Sequence, residues 1–231
     1  MLKYHQHIPR TQTSIHSLPI ETFFNMNATI IYVLGAPGAG KGTICPMLAQ
    51  NYANTYHLSI GDHLRSLLDL DPSTTTAATF GGLGRSDFST RMQRRELLPS
   101  ETIISIATNA IDSIIQRAST DSVNKPTILV DGFPRSLESA KLADDALGAP
   151  HKVLFFDLPR EIAEARFLDR KRSADDGRDV FAMRYAEFER LNGLIIERYS
   201  DRVVRVGTEL GTEKTWERVR QMEQEIFGGV S

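Results

Sequence analysis

Thr29-Ile30-Ile31-Tyr32-Val33-Leu34-Gly35-Ala36-Pro37-Gly38-Ala39-Gly40-Lys41-Gly42-Thr43 joins an apolar run to a glycine-rich turn. Ile30 to Leu34 carries no polar face, so it reads as a strand buried on both sides in a parallel sheet. The glycines let the backbone wrap closely and turn its N–H groups inward. A helix opening after the turn adds positive potential at its N-terminus. Lys41 brings a mobile point charge suited to β- and γ-phosphates, and Thr43 a hydroxyl suited to Mg²⁺. Gly38, Ala39, Gly40, Lys41, Gly42 and Thr43 are therefore the candidate phosphate-binding residues. The common form of such a loop has Ser or Thr directly after Lys; here Gly42 intervenes.

Outward from this stretch, strands and helices alternate. Short apolar runs at His57–Ser59, Thr127–Val130, Val153–Phe156 and Val203–Val206 read as strands. Helical spacing is expected over Ile44–Tyr52, with Pro46 in the first turn, and over Asp62–Leu70 and Ser86–Arg95. It continues over Ser100–Ala118, capped by Ser100 and burying Ile103, Ile104, Ala107, Ile111, Ile114 and Ile115. Leu137–Leu147, Arg160–Lys171, Val180–Tyr199 and Thr212–Phe227 complete the series. The pattern predicts an α/β fold with a parallel five-stranded sheet covered by helices on both faces. Asp71 to Gly84 has no periodicity and reads as a mobile loop insertion.

The chain has 231 residues, net charge −2, 41% apolar and 24% charged residues. That is ordinary globular usage and excludes a collagen-like, low-complexity or globally disordered chain. The near-neutral balance argues against a protein built to coat nucleic acid. A single cysteine, Cys45, excludes an intramolecular disulfide and a cysteine-rich zinc site. It reads as a small buried apolar side chain. Residues 1–27 hold basic, His, Ser and Thr residues with no acid before Glu21. They read as an N-terminal extension, disordered or targeting, with Met26 as an alternative start.

Asp131, at the tip of the Ile128-Leu129-Val130 run, is placed to hold a hydrated metal beside the phosphate loop together with Thr43. It opens Asp131-Gly132-Phe133-Pro134-Arg135, and Ser59-Ile60-Gly61-Asp62-His63-Leu64-Arg65 lies upstream. With the phosphate loop, these motifs make the chain resemble the nucleoside monophosphate kinases, the adenylate kinase and UMP-CMP kinase family. The likeness runs from about Thr29 to the C-terminus and explains Gly42, which that family shares.

The resemblance implies a P-loop fold over residues 28–231, a helical acceptor-binding insert at about 59–99 and a short lid at about 170–178. Arg65 and Arg135 would grip the acceptor phosphate. Ile60, Met92, Glu96, Leu97, Leu98, Gly132, Phe133 and Ser139 would line the acceptor site. Arg166 would stack on the adenine of ATP, and Arg170 would reach its phosphates. Lys41, Arg135, Arg170, Arg172 and Arg184 would carry catalysis by charge neutralisation, with Arg172 and Arg184 also facing the acceptor.

The implied reaction moves the γ-phosphoryl group of ATP–Mg²⁺ to UMP, CMP or AMP, with no structural zinc. Alternatives are a P-loop kinase of another small metabolite and a nucleotide-binding protein without activity. The implied partners are ATP and a nucleoside monophosphate, with no nucleic acid and no membrane. The chain is expected to be a monomer in the cytoplasm, or in mitochondria if residues 1–27 are a transit peptide. Four positions depart from the family. Ile60 stands where Thr or Ala is usual, Ser139 replaces Gln or Asn, Arg95 replaces Gly, and Arg172 is one residue further than usual from Asp175-Asp176.

Overall fold

β1 (Thr29–Gly35), β2 (Thr55–Ser59), β3 (Thr127–Asp131), β4 (Lys152–Asp157) and β5 (Val203–Gly207) form a five-stranded sheet in the order β2-β3-β1-β4-β5. All neighbouring pairs are parallel. This computed structural model describes residues 27–118, 125–170 and 177–229. The expected strands are all present, and the N-terminal extension up to Met26 lies outside the described residues.

The helices are α1 (Lys41–Asn51), α2 (Ile60–Leu68), α3 (Arg85–Gln93), α4 (Ser100–Ala118), α5 (Leu137–Leu147), α6 (Arg160–Asp169), α7 (Arg178–Arg198), α8 (Thr212–Gln221) and α9 (Glu223–Phe227). Strand side chains alternate between two cores. Ile30, Tyr32, Leu34, Ile128, Val130, Val153 and Phe155 pack with apolar residues of α2, α3, α4 and α5. Ile31, Val33, Leu129, Leu154, Phe156, Val204 and Val206 pack with those of α1, α6 and α8. Burying each large side chain of this kind contributes about 1.5–3 kcal/mol. Because the strands run parallel, their carboxyl ends share one edge. Val33 and Ser59 both register with Asp131, and Gly35 with Phe156. In open α/β sheets the crevice outside that edge, at the point where the strand order reverses, is the usual ligand position, and here the reversal falls around β1.

The structure corrects several local expectations. α1 begins at Lys41, so Pro46 lies in its second turn; there it cannot donate to the Gly42 carbonyl. Ser100 is the first residue of α4 rather than its cap, since the Ile103 N–H already bonds to Pro99 O. Its hydroxyl donates instead to the Glu138 carboxylate at 2.6 Å. The buried stripe of α4 is Thr102, Ile106, Ala107, Ala110, Ile111 and Ile114, with Ile103, Ile104 and Ile115 at its margin. The closing helix breaks at Met222 into α8 and α9.

Asp71 to Gly84 also differs from the expected featureless loop. It holds two 3-10 turns, Pro72–Thr74 and Ala77–Phe80. Phe80 is 1% exposed and packs on Phe88 of α3 with ring centroids 5.0 Å apart. The Arg85 guanidinium donates to Leu68 O at 2.5 Å and ties the segment to α2. One buried aromatic in an otherwise polar stretch leaves no periodic signal, which is why the anchor is silent in the sequence. Phe80→Ala is expected to destabilise the protein by about 3–5 kcal/mol in urea unfolding. An unchanged midpoint would exclude this anchoring role.

Candidate active site

The phosphate loop connects β1 to α1, and its shape depends on close backbone approach. Gly38 has φ 89°, and a Cβ there would lie 2.3 Å from the Ala163 carbonyl oxygen of α6. No side chain fits that gap, so the loop is clamped against α6. Gly40, at φ 88°, caps α1 without a side-chain bond. The Thr43 and Ile44 N–H groups both bond to Gly40 O, and a helix N-terminus of this kind carries the partial positive charge that suits an anion. Lys41 Nζ donates to Gly35 O at 2.7 Å and to Ala36 O at 3.2 Å, within its own loop. Burial lowers the Lys41 pKa, Asp131 and Cys45 oppose that shift, and Arg135 and Arg170 add to it. These groups are thus near enough to act on one another.

Asp131 is 8% exposed at the end of β3. Among the described residues no group of three or more His, Cys, Asp or Glu side chains gathers as a metal cage. Asp131 offers one carboxylate and exposed Thr43 one hydroxyl, oxygen donors of the kind Mg²⁺ takes when phosphates and water fill its remaining positions. The residues fit that ion.

The arginines arrive from separate elements. Arg170 ends α6 and lies with its Cζ 4.3 Å from the centre of the Phe167 ring; Arg184 of α7 lies 5.9 Å from the same ring. Phe167 thus brings the two together. Arg166 is held by the loop after β5, donating to Thr208 O at 2.9 Å and Glu209 O at 3.1 Å. Arg135 Nη2 donates to Glu187 of α7 at 2.7 Å, and Arg65 pairs with Asp62 one turn earlier on α2. Arg172, Asp175 and Asp176 lie outside the described residues.

The acceptor-side candidates divide by burial. Phe133 is fully buried, edge-on to Tyr32 at 5.6 Å, and Gly132 turns at φ 76°. Ile60 is 2% exposed, part of the core cluster that also holds Leu64, Phe80 and Phe88. Ser139 is 3% exposed and shares a capping box with Ser136 at the start of α5. Its hydroxyl accepts from the Ser136 N–H at 3.0 Å and donates to Ser136 O at 2.9 Å. Met92, Leu97 and Leu98 are half-buried, and the Glu96 carboxylate lies 3.8 Å from Arg91 and 3.9 Å from Arg94. A hollow of about 490 Å³ separates the end of α3 from the start of α7, lined by Gln93, Arg94, Arg95, Asp179, Val180 and Met183.

Two residues near this site escape sequence reasoning. His57 Nε2 is buried without a hydrogen-bond partner among the described residues, 3.6 Å from Asp131 Oδ2. Glu187 lies 52 positions beyond its partner Arg135. Both pairings follow from which elements neighbour each other, which no local pattern encodes.

Arg95 adopts φ 58°, in the left-handed region. The Glu96 N–H bonds to Arg91 O and the Arg95 N–H to Met92 O, the paired closure of a helix terminus where glycine is the rule. Arg95→Gly is expected to raise stability by about 1 kcal/mol, and Arg95→Ala to give no such gain, in matched urea titrations. Cys45 is fully buried, and burial first, then Asp131, drives its thiol pKa well above the ordinary value against the opposing pull of Lys41. A thiol reagent at pH 8 is expected to label Cys45 only after denaturation; stoichiometric labelling of the folded protein would contradict the packing.

A family model for adenylate kinase matches residues 33–204. UMP-CMP kinase of Lentinula edodes is 27% identical, over 96% of this chain and 97% of the relative. UMP-CMP kinase of Gallus gallus is 32% identical, over 85% of this chain and 97% of the relative. Human adenylate kinase isoenzyme 1 is 28% identical, over 75% and 81%. With the parallel sheet and phosphate loop already described, these matches mean that the chain belongs to the nucleoside monophosphate kinase family.

Proposed function

We propose that this chain transfers the γ-phosphoryl group of ATP to the α-phosphate of a nucleoside monophosphate, UMP, CMP or AMP. The observation that carries this reading is the phosphate loop itself: Lys41 Nζ is held on the Gly35 and Ala36 carbonyls, and Gly38 lies against α6, whose Phe167 ring has Arg170 and Arg184 over it. Named UMP-CMP kinases and adenylate kinases among the relatives support it. The helical segment at about 59–99 is read as the acceptor-binding insert and about 170–178 as the lid.

Phosphoryl transfer asks for in-line positioning and for neutralisation of charge on the moving group. In this reading the α1 N-terminus and Lys41 hold the β- and γ-phosphates. Arg65 and Arg135 grip the acceptor phosphate, and Arg170, Arg172 and Arg184 stabilise the charge in flight. One such arginine is worth roughly 10³-fold or more in rate. The acceptor phosphate is mostly a dianion near neutral pH, with a second pKa of about 6, so no general base is required. Asp131 and Thr43 would hold Mg²⁺, which supplies charge neutralisation across the β- and γ-phosphates when bound with ATP. Arg166 would lie against the adenine of ATP.

The acceptor base is read less strictly in this proposal than in the relatives. The Ile60 side chain is spent in the core and the Ser139 hydroxyl in the capping box, so neither is presented to a base. Met92, the Glu96-Leu97-Leu98 segment and the Gly132-Phe133 backbone would form the contact instead. Coupled assays with ATP–Mg²⁺ against AMP, UMP, CMP and GMP are expected to show transfer to more than one base. Lys41→Ala is expected to abolish turnover with the fold intact by circular dichroism. A folded Lys41→Ala protein with near-normal activity, or no transfer to any monophosphate, would sink the assignment.

A further inference from the structure

The candidate acceptor arginine, Arg135, sits on a backbone that is already fixed. Its N–H donates to Ser139 Oγ at 3.3 Å, beside the Ser136–Ser139 capping box that starts α5. Its side chain is half-exposed, and a free arginine side chain carries about 2 kcal/mol of rotamer entropy. Among the described residues its side chain is restrained by the 2.7 Å bond from Nη2 to Glu187 Oε2. Nε and Nη1 have no protein partner among the described residues.

Glu187 is mounted on a rigid support. α7 buries Phe181, Tyr185 and Ile195. Its C-terminal end is tied to α5 by Arg198, whose Nη2 lies 2.5 Å from Asp144, and by the Tyr199 hydroxyl, 2.8 Å from the same carboxylate. Glu187 follows Arg184 by three residues and so shares its helix face. One face of α7 thus presents a candidate transfer arginine and the carboxylate that holds a second arginine.

We propose that Glu187 is a positioning residue for the transfer reaction, holding the Arg135 guanidinium by one nitrogen so that its other N–H groups meet the acceptor phosphate preset. This rests on the function proposed above. The role is a hydrogen bond of defined reach. A competing role has the opposite sign: a carboxylate that merely occupied Arg135 would repel a dianion, and its removal would tighten acceptor binding.

The experiment pairs two near-isosteric variants of the full chain. Glu187→Gln keeps the reach and an acceptor oxygen but loses the charge. Glu187→Asp keeps the charge but loses one methylene of reach. Steady-state kcat and KM are measured for each nucleoside monophosphate the parent protein uses and for ATP, with melting curves as a folding control. Glu187→Asp is expected to lose about ten-fold or more in kcat/KM for the acceptor, with the KM for ATP unchanged. Glu187→Gln is expected to retain most of the parent activity. Tighter acceptor binding in Glu187→Gln, an unimpaired Glu187→Asp, or equal impairment of both would overturn the proposal. A parent protein inactive on every monophosphate would instead sink the functional reading, and this inference with it.

Discussion

A half-buried lysine among arginines needs a carboxylate in the same space, and Asp131 is that carboxylate. Burial pulls the Lys41 pKa down and two arginines pull it further; Asp131 opposes them most strongly. Asp131 stands there because β3 pairs parallel with both β1 and β2, which sets its Cα in register with Val33 and Ser59. The clamp of Gly38 against the Ala163 carbonyl then fixes where Lys41 begins α1. Loop and lysine form one unit through the Lys41 bonds to the Gly35 and Ala36 carbonyls, with Asp131 opposing the loss of the lysine charge.

Two of the candidate arginines, Arg65 and Arg135, each pair with a carboxylate. Asp62 attends Arg65, and Glu187 attends Arg135. These pairs are half-exposed, and such pairs contribute only about 0–1 kcal/mol to stability. Their value lies in geometry: an arginine side chain already placed loses less freedom when a phosphate arrives.

The acceptor side shows how departures from a family pattern are absorbed. Ile60 becomes core, in the same cluster as Phe80, the anchor of the segment between α2 and α3. Ser139 becomes half of a capping box that stiffens the backbone carrying Arg135. Arg95 keeps the left-handed turn its glycine counterpart would make, because the bonds to Arg91 and Met92 require it. At all three positions the side chain is taken up by the fold itself, in the core, in a capping box or at a helix terminus.

The strands, the loop and the order of the arginines are written locally. Apolar runs of strand length, a glycine-rich turn with Lys41 and Thr43, and the Gly132-Phe133-Pro134-Arg135 run each act through neighbours in the chain, so periodicity and spacing reveal them. The start of α1, the burial of Phe80 and the rotated face of α4 are not written that way; each is decided by what packs on top. The same holds for His57 beside Asp131 and for Glu187 on Arg135, which meet only because β2 lies next to β3 and α7 packs on α5. The sequence by itself determined a parallel α/β sheet with a phosphate loop and a set of arginines. Only the tertiary structure decided which carboxylate each cation faces, because charges pair through space rather than along the chain.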